Sequence, residues 1–588
     1  MGKKLIPIAL GAFILVGFGW LLSQQSPEDA KFHKTMETYL DTYWKFYPTA
    51  ATLAGYFKYN DRLEDLAEST IEKYLDSLDK INAELVNKIS RDKLSPEMQI
   101  DFDLLRDALD LDIYRLEKIV PQQLNPIYYN EIILPSIHSL LVKEFASIDA
   151  RLKSATERAK ALPGFLKQAK EELKTPPKEY TEAAIKQFPA ILDFYKNEAP
   201  KLIERGSTEA KAKFHTEWAK VVSALEDYQR FLQGELLARS TGNFRLGEAH
   251  QRILQLTIGG NLTLNEFNAR VKADTTNLRR EMFLICIPYY KIMEPKLDIE
   301  HPPANVPQDQ LHIHLISHVF SKIKNFQPSE EEWLSKIKTA ADDIKAYIAK
   351  TKLLETPDDA YTIEPMSVFD RNSVLVKLVT PNIYEPSGSY TIQVNPYPDN
   401  LPADQAQLFR DEYTNYLLPI WTIQNVYPGS FFPAAYTRKN ASIIRRLYAN
   451  PALLKGWPLY AQDMFIFAGY NNYDLKQRLC ELKLKLQALM DFQIDINVHE
   501  ANYTKEQAIR LMTINGFQTP AEAERKWNMI VLNPGLAAHA YIGYQEILDM
   551  EEDYKKLKGD AFSKKEFLQK LVSFGPLPLR TLKTKITQ

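Results

Sequence analysis

A chain that hydrolyses amides with a metal needs a histidine beside a glutamate, the imidazole holding Zn²⁺ and the carboxylate deprotonating the bound water. His499-Glu500 is the only His followed directly by Glu here, and no second His follows within one helical turn. Asp495 and His499, four apart, can share a helix face. That spacing suits a carboxylate that orients an imidazole, and it also suits a pocket. A second cluster, His312, His314 and His318, lies in LHIHLISHVF, where no Asp, Glu or Cys completes a ligand set and the neighbours are apolar. Packed or surface histidines are expected there. Serine chemistry lacks a G-x-S-x-G motif, and Ser430, after Pro428-Gly429, has no sequence-evident base. Cys286 in MFLICI and Cys480 in QRLCELKL form no C-x-x-C and read as buried apolar thiols.

These residues must be positioned mainly by helices. From Ala30 to about Met293 apolar residues recur three and four apart, as in SPEMQIDFDLLRDALDLDIYRLEKI, with Ser95 as N-cap and Pro96 in the first turn. TEAAIKQFPAILDFYKNEAPKLIERG, ending at Gly206, and TEWAKVVSALEDYQRFLQGELLARS continue the pattern. Residues 294–310, rich in Pro and acid, read as a linker between a helical half, 26–293, and a second half, 311–588. In that second half SVLVKLVT (373–380) and SYTIQVNP (389–396) are the strand signals, separated by PNIYEPSG, and predict a small sheet or hairpin embedded in helices.

Composition narrows the function classes. With 73 Lys and Arg against 75 Asp and Glu, the net charge is -2, and no block of like charge suggests nucleic acid as a partner. Lys3 and Lys4 precede an uncharged run, Leu5 to Leu22, at the short end of a membrane span, with Glu28 and Asp29 beyond it. Residues 1–25 therefore read as a signal anchor or signal peptide that leaves the main domain outside the cytoplasm. An uncleaved inner-membrane anchor is favoured, because no A-x-A follows the run and no Cys there could carry lipid.

Several blocks in order resemble the bacterial domain-of-unknown-function family 885, whose members are similar to helical zinc metallopeptidases. They are YWKFYPTAATLAGYFKYNDRLEDLA, LSPEMQIDFDLLRDAL, GNFRLGEAHQRIL, GSYTIQVNP, DINVHEANYTKEQAI, NPGLAAHAYIGYQEI and FGPLPLRTL. The resemblance implies a large, mostly α, zincin-like scaffold with the small sheet beside the former active-site helix. It also implies where the chemistry would sit. Around Tyr427-Pro428-Gly429, the family's H-E-x-x-P-G-H places Gln424 at the first His, Asn425 at the general base and Ser430 at the second His. In KGWPLY, Lys455 stands at the family's acidic ligand before Gly456-Trp457. Met529 and Ile530 fall at an Arg-Tyr pair, and Ala540 at a later Tyr, with Tyr541 one residue off; Asp495 and His499 match D-x-G-L-H with Asn497 for its Gly.

A neutral amide and a hydroxyl are poor zinc ligands, a charged lysine has no lone pair, and Asn425 cannot act as a base. The resemblance thus implies a peptidase-like protein without zinc or catalytic residues, no cofactor, and a retained groove lined by Tyr427, Phe431, Trp457 and Tyr460, near Asp495, His499 and His539. Such a groove would hold a peptide, an envelope polymer or a protein partner. The competing expectation is a hydrolase rebuilt around His499, His539 and Glu500, or around Lys455 as a base of lowered pKa.

Overall fold

A computed structural model describes residues 26–587 apart from 261–262, 294–306, 367–374, 386–387, 396–406, 408–409 and 441. The apolar run Leu5–Leu22 and most of the Pro-rich segment lie outside the described residues. Among the described residues no helix is long and apolar enough to cross a membrane.

The chain enters through α1 (Pro27–Phe46), where the Ser26 hydroxyl accepts from the Asp29 N–H, Pro27 opens the first turn, and Glu28 and Asp29 complement the helix dipole. In α2 (Pro96–Tyr114) Ser95 takes the N-cap position, but its hydroxyl makes no cap bond; its N–H donates to Asp29 instead. The helix Ile148–Glu172 (α3) packs on Thr208–Phe231 (α4). The latter runs on through a π turn over Leu232–Leu236, and the earlier helix Lys178–Asp193 likewise passes into a π turn over Phe194–Glu198 before a last turn ends near Gly206.

The second half of the molecule uses α5 (Glu248–Ile258), α6 (Leu264–Met293), α7 (Gln308–Ile323) and α8 (Glu330–Thr351), the last opened by a Ser329–Glu332 capping box. A three-stranded sheet follows: β1 (Tyr361–Pro365), β2 (Val376–Val379) and β3 (Tyr390–Val394), in the order β1-β3-β2. The two strands expected from sequence pair antiparallel, Val376 opposite Val394 and Leu378 opposite Ile392. β1 was not expected. It runs parallel to β3, Ile363 opposite Ile392, and its short Tyr-Thr-Ile alternation ends in Glu364-Pro365, where Pro is tolerated only at an edge.

Six helices complete the site region: α9 (Leu417–Asn425), α10 (Phe431–Lys439), α11 (Pro451–Phe467), α12 (Leu475–Glu500), α13 (Pro520–Leu532) and α14 (Ala538–Lys558). The fold is mostly helical with a small sheet, as expected, and Tyr390 of β3 packs edge-on against Phe431, beside the turn that follows α9. Buried apolar residues form two cores, one built almost wholly from residues 32–236 and one from 244 onward together with Ile100 and Tyr180. α6 and α7, on either side of the segment 294–306, pack against each other within the second core. The division drawn from composition at 294–310 therefore does not coincide with the division between the cores, because burial follows helix packing rather than proline content.

Candidate functional site

The turn that carries the family-like Tyr-Pro-Gly is shaped by close backbone packing. α9 is apolar on nearly every side, and the Gly429 N–H returns to the Ile423 carbonyl at 2.8 Å. A Cβ on Gly429 would lie 1.9 Å from the Gln424 carbonyl oxygen, so only glycine fits. Trp457 of α11 donates from its indole to the Pro428 carbonyl at 3.4 Å, tying this turn to the next helix.

The polar residues presented there are engaged with other amides and carbonyls. Gln424 donates from its side-chain amide to the Gln462 Oε1 at 2.7 Å. Asn425 donates back to the Trp421 carbonyl at 3.0 Å. Ser430 is half-buried at the N-cap position of α10 and makes no cap bond. Across from Gln424, then, stands Gln462, two turns further along α11 than Lys455 and without a signal in the sequence. Lys455 reaches solvent and forms no ion pair with a carboxylate among the described residues, while the protein crowded around it lowers its pKa through desolvation. The positions 424, 425, 430 and 455 do not fit zinc: they supply two amides, a hydroxyl and an ammonium, and no imidazole or carboxylate.

Behind the amide pair lies a buried charge network. Gln462 also donates to Glu481 Oε1 at 3.3 Å; Arg478 bonds Glu481 at 2.5 Å, Lys485 bonds Asp463 at 2.7 Å, and Tyr544 of α14 donates to Asp463 at 2.5 Å. Burial drives the Glu481 carboxyl well above its usual range, whereas Asp463, against the same burial, is held below it by Lys485. Arg478 also bonds Glu281 at 2.7 Å, so each of the two bases keeps a carboxylate partner besides Glu481.

A second cluster forms where the start of α5 meets the end of α12. The Gly247 N–H donates to the His499 carbonyl, which brings His250 of α5 between two carboxylates: Nε2 lies 3.0 Å from Asp495 and Nδ1 2.9 Å from Glu500. Burial would lower the His250 pKa, but the two carboxylates raise it to about 9. Asp495 also accepts from the Gly535 and Ala538 N–H groups. The His499 ring stacks on His250 with centroids 4.9 Å apart; its Nε2 donates to the Ile530 carbonyl, and burial lowers its pKa. Donor atoms of His250, Asp495 and His499 lie within 4.8 Å of one another, the one metal-capable group among the described residues. A doubly protonated His250 that donates to both carboxylates accounts for these contacts and leaves no lone pair for a metal. His250 was not singled out in the sequence, where it stands alone in GEAHQRIL; its partner Asp495 is 245 residues away.

His539 lies on α14 with Nε2 3.2 Å from the Thr257 hydroxyl, and burial, aided by the charges of Lys455 and His250, lowers its pKa to about 4. Met529 and Ala540 are half-buried and present no polar group, Ile530 is buried, and Tyr541 donates to Asp274. His312 stacks on Phe283 at 4.0 Å, and His314 and His318 face Tyr290, so this cluster is aromatic packing. Both cysteines are buried, which pushes each thiol up to about 12.

The aromatic residues expected to line a groove are interior instead. Tyr427, Phe431, Trp457 and Tyr460 are all buried; Tyr427 stacks against both Tyr361 and Phe431, whose ring centroids lie 4.8 Å from each other, and Tyr460 donates to Glu551 at 2.6 Å. β1, absent from the sequence expectation, supplies Tyr361 and helps to close this space. Two cavities among the described residues, about 310 and 190 Å³, are lined by other side chains.

The sequence model of a bacterial family of unknown function, DUF885, matches residues 48–586. No curated protein matches the chain. Two solved structures share its fold. One, described as a presumptive lipoprotein of unknown function from Shewanella oneidensis, has a TM-score of 0.81 at 23% identity and covers 95% of this chain and 100% of its own. The other, a presumptive lipoprotein from Colwellia psychrerythraea, has a TM-score of 0.74 at 15% identity and covers 95% and 98%. At these identities the likeness carries the fold alone. With nearly its whole length matched, the chain belongs to the DUF885 family of bacterial proteins.

Proposed function

We propose that this protein is a non-catalytic, peptidase-like binding protein of the cell envelope, which keeps the scaffold of a zinc hydrolase and has lost its reaction. The observation that carries this reading is the Gln424–Gln462 pair: two uncharged amides satisfy each other at 2.7 Å where a metal would need an imidazole and a carboxylate. Asn425, bonded to its own helix, offers no base. Envelope association is supported by Lys3, Lys4 and the apolar run Leu5–Leu22, and by the lipoprotein description of the two fold neighbours. The chain's two cysteines are buried at 286 and 480, so here the apolar run would hold the domain at the membrane. With Tyr427, Phe431, Trp457 and Tyr460 buried, the ligand proposed, a peptide, an envelope polymer or a protein segment, would be held outside the groove those residues were expected to line.

One observation favours a rebuilt hydrolase instead: Lys455 is solvent-reachable, without a carboxylate partner, and lowered in pKa. His499 and Glu500 add little to that reading, being bonded to Ile530 and His250. Elemental analysis of the purified chain from Ser26 onward, together with cleavage assays on a peptide library, separates the two. The expected result is no stoichiometric zinc and no cleavage. One equivalent of tightly held zinc would overturn the proposal, and cleavage abolished by Lys455→Met would establish the second reading in its place.

A further inference from the structure

A group of tyrosines gathers where the end of α1 meets α2 and the residues before α11. Tyr43 and Tyr47 have ring centroids 4.9 Å apart, and Tyr43 lies 6.4 Å from Tyr448, whose hydroxyl bonds that of Tyr39. Tyr43, Tyr47 and Tyr448 are half-buried, as is Tyr128 on the helix Pro126–Val142. The protein crowded around them pushes all four phenols above their usual range. Side chains that touch water and are yet so desolvated line a deep cleft and not a convex surface.

Arg115 supplies the charge of this cleft. α2 ends in a π turn over Arg115–Ile119, and Val120 after it is held at φ 45°, where a β-branched residue is strained. Arg115 is exposed and forms no hydrogen bond or ion pair among the described residues. Its charge nevertheless reaches Tyr43, Tyr47 and Tyr128 and draws each phenol down against the burial. Two carboxyls also feel it. Asp112 accepts from Tyr47 at 3.1 Å and from Tyr74, so both its oxygens are held. Glu131, one turn on from Tyr128, reaches solvent without an ion pair among the described residues, and desolvation raises its pKa.

The cleft adjoins the cavity of about 190 Å³. Asp107 and Leu111 of α2 line that cavity, Arg115 follows four residues on, and Tyr448 lines it from the other side. Asp107 is already bonded by Arg580, and much of the remaining wall is apolar, with Leu104, Leu256 and Leu447.

We propose that this cleft binds the C-terminal end of a peptide, with Arg115 holding the free carboxylate, the tyrosine rings lying along the last residues and the cavity taking an apolar side chain. A guanidinium matches a carboxylate with two parallel hydrogen bonds, and the Tyr128 hydroxyl, which bonds nothing among the described residues, is a spare donor beside it. At roughly 30 Å³ per water, the cavity holds about six water-sized groups, enough for a leucine-sized side chain. An uncharged glycan could use the ring faces but would leave the cation without a partner, so the peptide is favoured. The assignment deepens the proposed function by naming a ligand and its place, and the two fail separately: zinc or cleavage would overturn that reading and leave this site untouched.

The test is calorimetry on the full-length chain in lipid nanodiscs, with N-acetyl-Ala-Ala-Leu carrying a free carboxylate as probe. Saturable binding is expected, weakened about tenfold by Arg115→Gln and equally by amidation of the probe's C-terminus. Tyr128→Phe weakens it by a smaller factor. Glu131→Gln strengthens it by removing a competing negative charge, an effect that a merely structural role for this cleft would not produce. Gln424→Met leaves binding unchanged. Absence of saturable binding, equal affinity for the acid and the amide, or equal affinity in wild type and Arg115→Gln overturns the assignment. Tighter binding of an uncharged N-acetylglucosamine tetramer than of the peptide overturns it in favour of a polymer site.

Discussion

His250 and His539 pull the pH dependence of stability in opposite directions. The folded pKa of His250, about 9, lies above its unfolded value near 6.5, so its stabilisation is fully present below about pH 6.5 and is lost as pH rises through 9. The folded pKa of His539, about 4, lies below the unfolded value, so its contribution is present above about pH 6.5 and is lost as pH falls toward 4. Denaturant unfolding across this range should peak near neutrality, with His250 supplying up to about 3 kcal/mol of the alkaline decline. His250→Gln should flatten the alkaline limb and His539→Gln part of the acid limb; alkaline limbs that superimpose for wild type and His250→Gln would refute the assignment. The Gln424–Gln462 contact also sharpens what building a zinc site at this turn would require. Gln424→His, Asn425→Glu and Ser430→His combined with Gln462→Glu should take up zinc, measured on dialysed protein, whereas the same triple combined with Lys455→Glu alone should not. The opposite order would show that α11 turns its other face to the site. Peptidase activity should stay absent in both, since Met529, Ile530 and Ala540 offer no oxyanion donor and such a loss costs about two to three orders of magnitude.

At the scale of elements, α11 and α14 cross with their backbones in contact. A Cβ on Gly456 would lie 2.3 Å from the Gly543 carbonyl carbon, and one on Gly543 would lie 1.8 Å from the Ala452 oxygen. The helices need the glycine of KGWPLY in order to meet, whatever the chemistry of Lys455 beside it. Gly543→Ala should destabilise by about 1–3 kcal/mol or more, because the obstacle is backbone and cannot rotate away. Gly164, within α3, has nothing within 4 Å of its missing Cβ, and Gly164→Ala should stabilise by about 0.5–1 kcal/mol through helix propensity and unfolded-state entropy. Thermal unfolding of the two variants checks both signs. Helix periods and the N-cap position at Ser95, with Pro96 in the first turn, were legible because they are local; the π turns at Phe194–Glu198 and Leu232–Leu236 were not, since no residue type marks a single wide turn.

At the scale of the whole molecule, two cores are clamped together by polar contacts, the most buried of which is Arg445 with Asp101 of α2. Arg445 also bonds Glu97, and Arg580 bonds Asp107 of the same helix. Breaking such a buried pair from one side costs about 3–5 kcal/mol, so the halves are expected to behave as one cooperative body. The envelope placement is tested at this scale too. A reporter that is active only when exported, fused after Gln25, should be active and remain with the membrane fraction if, as proposed, Lys3 and Lys4 keep the N-terminal side of the apolar run in the cytoplasm. Activity of a reporter that folds only in the cytoplasm would contradict this.

The sequence by itself determined the helical class, the β2–β3 hairpin, the family, and the letters at positions 424, 425, 430 and 455. Each of these follows from local period, capping or residue type, which need no knowledge of what lies opposite. Which residues meet was decided only by the tertiary structure: Gln462 rather than Lys455 across from Gln424, His250 between Asp495 and Glu500, Tyr361 of a parallel β1 against Tyr427, and four aromatic residues inside the core instead of along a groove. The physical reason is that a helix repeats every 3.6 residues, so a residue's neighbours across an interface depend on how each helix is rotated and crossed, and that is settled by the close approach of backbones at Gly429, Gly456 and Gly543.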